Sequence, residues 1–541
     1  MSSLARRSIG LLVLLSLLLV ASAVAAPIGL AHGSGGGSST RIRGIDIDRT
    51  TIPELQRLMD RRKLSSEHLV RFYLKRIEKI DDRLNSIITV SPTALDEARA
   101  ADKARRHGDD RPLLGIPILV KDNINTTGMP TTAGSWALEG STPPDAFIVQ
   151  QLKDAGAIII GKANLSEWAN FRSAPSSSGW SGIGGQTNSP YVLDRNPCGS
   201  SSGSGAAVAA DLAVAAVGTE TDGSVVCPSG ANSVVGIKPS VGLVSRSGIV
   251  PISADQDTAG PMARNVTDAA VLLGAMTGLD PDDAATVAGS ANAYVDYTQF
   301  LDKRALRGAN IGVWREGTDT VDGVPVDEDV DEIMEDVIDE LEDQGATVTE
   351  ITLDLSDVGG PEFEALLCEF KTDIATYLET YTAPGYPKTL QALIDFNDAN
   401  PDLEGPWNSQ IFVDAQATGG RADPACAAAR AAATPVVQVR LDALLETYDA
   451  IIAPTNGPPW LTDPVNGDLS DGSPFIGSST ASAVAGYANV TVPAGYVDRH
   501  LPIGVSFIGG LWDEPDLIGF AYDYERASHE RKPPSFKRNL H

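Results

Sequence analysis

Basic residues are scarce. Only 42 Lys and Arg accompany 71 Asp and Glu in 541 residues, for a formal charge of −29. A surface that tracks phosphates needs clustered Lys and Arg, so no nucleic-acid partner is expected. Docking on an anionic membrane is disfavoured for the same reason. Cysteine is rarer still: Cys198, Cys227, Cys368 and Cys426 are the whole set. No C-x-x-C pair or histidine-rich spacing occurs, so neither a metal nor a cofactor is expected. Four cysteines allow three disulfide pairings, which spacing does not rank. Beyond the N-terminus no apolar run is long enough to span a bilayer. No internal repeat and no second linker follow residue 45, which favours one large domain.

What is present begins with Arg6 and Arg7, an apolar run from Ile9 to Ala21, and small residues in ASAVAAP (21–27). A basic n-region, a short h-region and an A-x-A site describe a secretory signal peptide over residues 1–26. The mature chain is then expected to be secreted, periplasmic or extracellular, with no stable membrane insertion. HGSGGGSST (32–40) reads as part of a flexible linker over 27–44, with one domain over 45–541.

Residues 52–108 show helical periodicity, as in LQRLMDRR (55–62) and HLVRFYLKRIEKI (68–80). Short strand candidates follow: IPILV (116–120), AIIIG (157–161), ANIGVW (309–314), TVTEITL (347–353) and DAIIAPT (449–455). Val330, Ile333, Met334, Val337 and Leu341 share one face of an acidic helix ending near Gly345. This alternation predicts an α/β protein with a central twisted, mixed, largely parallel sheet flanked by helices. The Pro/Gly/Asp-rich stretch 456–475 predicts a long loop at a site's rim.

NPCGSSSGSG (196–205) has a linker's composition, but the apolar AAVAADLAVAAVG (206–218) follows it. Glycines opening an apolar helix permit close backbone approach and leave N–H groups to face negative charge. Gly199-Ser200-Ser201-Ser202-Gly203 matches the G-x-S-x-G elbow of α/β-hydrolases. That motif needs a strand before it, whereas QTNSPYVLDRNPC (186–198) is rich in turn formers. A histidine base is also wanting, since only His500, His529 and His541 follow. Two other segments offer different chemistry. Lys121 ends an apolar strand in GIPILVKDNINTTGMPTTAGS (115–135), and Ser224 lies in GTETDGSVVCP (218–228). A desolvated lysine loses its proton readily and can act as a base. Together these residues describe a serine hydrolase that uses no histidine.

NPCGSSSGSGAAVAA (196–210) and GTETDGSVVCP, with the lysine strand upstream, closely resemble the amidase signature family. The resemblance continues through 236–270 and LPIGVSFIGG (501–510), with the signature core over about 113–275. It implies a Ser–cis-Ser–Lys triad: Ser224 as nucleophile, Ser200 as bridging serine, Lys121 as base, and a cis Gly199–Ser200 peptide. It further implies an oxyanion hole from the N–H groups of Thr221, Asp222, Gly223 and Ser224, with Ser201 supporting the network. Asp222 and Val226 depart from the common glycine and arginine, and Cys198 and Ser202 replace loop glycines. With SSSGWSGIGGQTNSPY (176–191), the variant is similar to the peptide amidase branch, which removes C-terminal carboxamides. The expected substrate is thus a peptide or small-molecule amide. A broad aliphatic or aryl amide hydrolase, an esterase, and a non-catalytic amide-binding relative stay open as alternatives. A tRNA-dependent amidotransferase is opposed by the charge and the signal peptide, and the oligomeric state is not indicated.

Overall fold

Buried runs of small and branched residues supply the frame of this computed structural model. It describes residues 40–540 except 316–319, 322–323, 326 and 474–475. The expected signal peptide, and the linker up to residue 39, lie outside the described residues. Arg41–Ile42 pairs antiparallel with Ile45–Asp46, so the expected boundary at residue 45 falls inside a small hairpin.

Eleven strands of one sheet are described: β1 (Ile87–Val90), β2 (Pro117–Lys121), β3 (Ile158–Ala163), β4 (Ala215–Glu220), β5 (Val235–Lys238) and β6 (Thr258–Ala263), then β7 (Asn310–Val313), β8 (Thr347–Glu350), β9 (Ala450–Pro454), β10 (Asn489–Val497) and β11 (Leu501–Ile508). Their spatial order is β8-β7-β9-β11-β10-β5-β6-β4-β2-β3-β1. The sheet is mixed, as expected, within a single large α/β domain. Its parallel pairings fall in two blocks, β8-β7-β9 and β4-β2-β3. Antiparallel strands join the blocks, and β1 closes one edge antiparallel to β3.

Successive strand residues point to opposite faces, yet every residue of β2, β3, β4 and β6 is buried. Both faces are therefore covered, which accounts for runs such as PILVK without polar alternation. Helices near the site are α1 (Ser202–Ala209), α2 (Val226–Ala231), α3 (Gly359–Tyr381), α4 (Pro424–Leu445) and α5 (Ser479–Ala485). The segment 206–218 is not one apolar helix: α1 ends at Ala209 and β4 starts at Ala215. Residues 52–108 are likewise interrupted by β1, whose residues IITV pair with β3. Among the described residues no helix is long and apolar enough to cross a membrane.

Topology positions the chemistry. β2 and β4 are parallel neighbours, with Ile118 opposite Ala215 and Val120 opposite Val217. Their carboxyl ends thus leave the sheet on the same side, where Lys121 ends one strand and Glu220 the other. Open α/β sheets place ligands at such ends.

Candidate active site

Lys121 is wholly buried, and its Nζ lies 2.8 Å from Ser200 Oγ, 3.1 Å from the Thr219 carbonyl oxygen and 2.9 Å from Thr219 Oγ1. Among the described residues no carboxylate touches the amine directly. Burial brings its pKa down to about 7, against the opposing pull of Glu220 and Asp257. A neutral amine has two N–H donors and one lone pair. The Thr219 carbonyl can only accept, and Thr219 Oγ1 also accepts from Asn123 Nδ2 at 2.9 Å. In the ammonium form Nζ donates to Ser200 Oγ; in the neutral form, with both N–H groups directed to Thr219, the lone pair is left to accept from the Ser200 hydroxyl.

Ser200 is held in a loop with no slack. The Gly199–Ser200 peptide is cis. The Ser200 carbonyl accepts from the Ser166 N–H at 3.0 Å, and Ser201 N donates to the Ser224 carbonyl at 3.2 Å. Ser201 Oγ donates to the Thr219 carbonyl at 3.1 Å and accepts from Thr219 N at 3.2 Å. Cys198 occupies the left-handed region with φ +58°. A glycine is most at home there, which fits the loop glycine that the resemblance implies at this position. Ser202 Oγ donates to the Cys198 carbonyl across the turn. Gly203 allows α1 to sit against the chain, since a Cβ there would stand 2.3 Å from the Ser86 carbonyl oxygen.

The Ser224 turn joins β4 to α2. Glu220 Oε2 accepts from Val225 N at 2.7 Å and Val226 N at 3.0 Å, so a buried carboxylate spans the turn. Thr221 Oγ1 donates to Asp257 Oδ1 at 2.6 Å, and Asp257 Oδ2 also accepts from the N–H groups of Ile252 and Ser253. Asp222 turns away: its two oxygens accept from Ser479 Oγ at 2.6 Å and Thr480 Oγ1 at 2.7 Å. Burial pushes the Asp222 and Asp257 carboxyls each up to about 6. Gly223 makes the turn with φ +77°. Among the described residues, nothing accepts from the backbone N–H groups of residues 221–224. All of Lys121, Gly199, Ser200, Ser201, Thr221, Asp222, Gly223 and Ser224 therefore meet at one end of the sheet, by the carboxyl ends of β2 and β4. Asp222 joins through its backbone only, its carboxylate being pinned to α5.

The family model for amidases matches residues 68–518. A "Probable amidase" of Arabidopsis thaliana is 37% identical over 522 residues, covering 92% of this chain and 94% of that protein. The native peptide amidase from Stenotrophomonas maltophilia is 46% identical with TM-score 0.84, covering 90% of this chain and 99% of its own. This chain is an amidase of the amidase signature family. A peptide amidase in complex with the competitive inhibitor chymostatin is equally similar, at 46% identity and TM-score 0.85 over 90% of this chain and 99% of that one.

In this amidase Ser224, Gly199 and the 221–223 turn line a cavity of about 350 Å³. Phe171, Ile252, Leu366, Trp460, Leu469 and Ile476 form its apolar wall. A larger cavity of about 500 Å³ lies beside it, lined by Asn123, Thr219 and Asp257, and the two share Ala169, Thr221 and Ile252. Size does not decide between them. Only the smaller one reaches the Ser224 turn from the side where Gly199 lies.

The cysteine pairing left open by spacing is Cys198–Cys227 and Cys368–Cys426. The first ties the residue before Gly199 to the third residue after Ser224, so it joins the two motif loops. The second ties α3 to α4. From those helices Glu362 and Arg430 reach Gln256, whose Nε2 donates to the Thr221 carbonyl at 2.9 Å. Sequence reasoning missed Thr219, Asn123, Glu220, Asp257 and Gln256. An acidic residue four positions before Ser224 was the available signal for Glu220; Gln256 carries none.

Proposed function

We propose that this amidase hydrolyses the C-terminal carboxamide of peptides to the acid and ammonia through a relay of Lys121, Ser200 and Ser224. The contact that carries the reading is the 2.8 Å approach of a buried lysine amine to Ser200 Oγ, in a site with no histidine among its described residues. Neutral Lys121 takes the Ser200 proton as Ser200 takes that of Ser224, and Ser224 Oγ bonds to the amide carbon. The resulting oxyanion faces the N–H groups of residues 221–224. Protonated Lys121 returns a proton through Ser200 to the amide nitrogen, the C–N bond breaks, and ammonia departs. Water then adds to the acyl-enzyme along the same relay, releasing the carboxylic acid and free Ser224.

The similarity to the Stenotrophomonas maltophilia peptide amidase supports a peptide substrate. Export by the 1–26 signal peptide is supported by two disulfides, which persist in oxidising compartments. The test is ammonia release from amidated peptides and from simple aliphatic and aryl amides, with Ser224→Ala as the control. Peptide amides are expected to be turned over best, and Ser224→Ala to abolish turnover. Turnover of simple amides alone would overturn the peptide reading. No turnover by folded wild-type protein on any amide would overturn the whole proposal.

A further inference from the structure

Resting on the carboxamide reading, we infer that the Ser224 cavity selects peptides whose C-terminal residue is apolar. Trp460 and Leu469 read that side chain, and Asp468 positions the loop that carries them. The acyl part of a bound amide must lie in the cavity that Ser224 opens onto. Among the described residues its lining contains no Lys, Arg or His. An acidic C-terminal side chain would therefore lose water without gaining a counter-charge.

A basic side chain would have to compete for the two carboxylates in the lining with the bonds by which they hold the wall in place. Asp222 is taken by Ser479 and Thr480. Asp468 Oδ1 accepts from Ser178 N at 2.9 Å, Asn196 Nδ2 at 3.2 Å and Trp460 Nε1 at 3.1 Å, and its Oδ2 accepts from Ser178 N at 3.0 Å. What the cavity offers instead is apolar surface. Trp460 packs on Cys198 and Ala231, with Cys227 and Leu469 against the same cluster. The Cys198–Cys227 bridge is thus the floor on which the tryptophan stands.

Loop 456–473 would be a poor wall if it moved freely, and the Asp463 carboxylate accepts from Val465 N, Asn466 N and Asn466 Nδ2 inside the loop itself. Asp468 fastens it. Besides the charge-assisted bonds above, Asp468 N donates to the Ser176 carbonyl at 3.2 Å. Gly467 lies so close to the 175–176 backbone that a Cβ would stand 2.1 Å from the Pro175 carbonyl oxygen. The same carboxylate binds the indole N–H of Trp460, so Asp468 fixes the ring orientation and the 467–469 stretch together, while Asn196 N to the Trp460 carbonyl at 2.8 Å and Thr462 N to the Asp194 carbonyl at 3.1 Å hold the start of the loop.

The test is kcat/KM for blocked dipeptide amides that share the first residue and end in Leu, Phe, Gly, Asp or Lys. Leu and Phe amides should exceed the Gly amide about 10-fold or more, with Asp and Lys amides below it, the range a single apolar contact set supplies. Trp460→Ala and Leu469→Ala should each lower the Leu-to-Gly ratio several-fold. Such a ratio is read within one preparation and does not depend on the fraction folded. Asp468→Ala should raise KM more for the Leu amide than for the Gly amide, a split that general loss of fold does not produce. Equal rates across the panel, or faster Asp or Lys amides, would overturn the selectivity. An unchanged ratio in both wall variants would overturn the assignment of Trp460 and Leu469. Failure of wild-type protein on every amide would instead remove the reading on which this inference rests.

Discussion

Lys121 sits among uncharged partners in a buried site, and that choice sets the pH behaviour expected of the relay. A pKa of about 7 suits the base of the proposed relay, which must be neutral to work. Activity should therefore rise as pH increases through about 7 and level off above it, with log(kcat/KM) climbing by about one unit per pH unit on the acid side. Glu220 pulls the lysine pKa upward without touching it. Glu220→Gln should then move the midpoint of that profile to lower pH, apart from any loss caused by weakening the Ser224 turn. Lys121→Arg keeps a cation that never deprotonates, so a loss of about 10²- to 10⁴-fold with no recovery at high pH is expected. A profile that stays flat between pH 5 and 9, or an active arginine variant, would remove Lys121 from the base role.

Among elements, the Ser200 loop and the Ser224 turn matter as a pair, and the Cys198–Cys227 bridge couples them across a sequence separation of 29. Removing a bridge over such a loop frees the unfolded chain and should cost about 2–4 kcal/mol. Cys198 adds a second effect, because its φ is +58°. In a Cys227→Ala background, Cys198→Gly should be more stable than Cys198→Ala by about 1 kcal/mol in urea denaturation, glycine alone being free of the left-handed penalty. Equal stability of the two double variants would mean that the backbone leaves that region once the bridge is gone. The legibility of these elements divides along the same line. The convergence of Lys121, Ser200, Ser224 and the 221–224 turn could be read because short motifs carry them. β2, β3, β7 and β9 could be read because their residues are branched and contiguous. β6 (TAGPMA) and β10 (NVTVPAGYV) could not, since Ala, Gly and Pro conceal strands that are buried on both faces and need no alternation. The disulfide pairing and the Gln256 bridge depend on which helices meet, and no local pattern encodes that.

Over the whole molecule, the acidic composition and the buried carboxyls act in the same direction. Burial raises the pKa of Asp222, Asp257 and Asp268 to about 6 and that of Glu362 and Glu525 to about 8. In the unfolded chain these groups return to the ordinary carboxylate range near 4. Between pH 5 and 7 the folded state therefore holds more protons than the unfolded state, and stability falls as pH rises. Lys121 acts oppositely, but only above about pH 7, where the folded lysine is neutral and the unfolded one still charged. The −29 formal charge adds self-repulsion in the compact state that lessens toward the isoelectric point near 4.5. The thermal unfolding midpoint should accordingly be higher at pH 5.5 than at pH 7. Added salt should narrow the gap by screening the surface part and leave the part due to buried carboxyls. Asp268→Asn removes one buried carboxyl distant from the Ser224 turn in sequence, and should make the pH 5.5 to 7 slope shallower. A midpoint that rises from pH 5.5 to 7 in both low and high salt would mean that these carboxyls stay ionised in the folded protein.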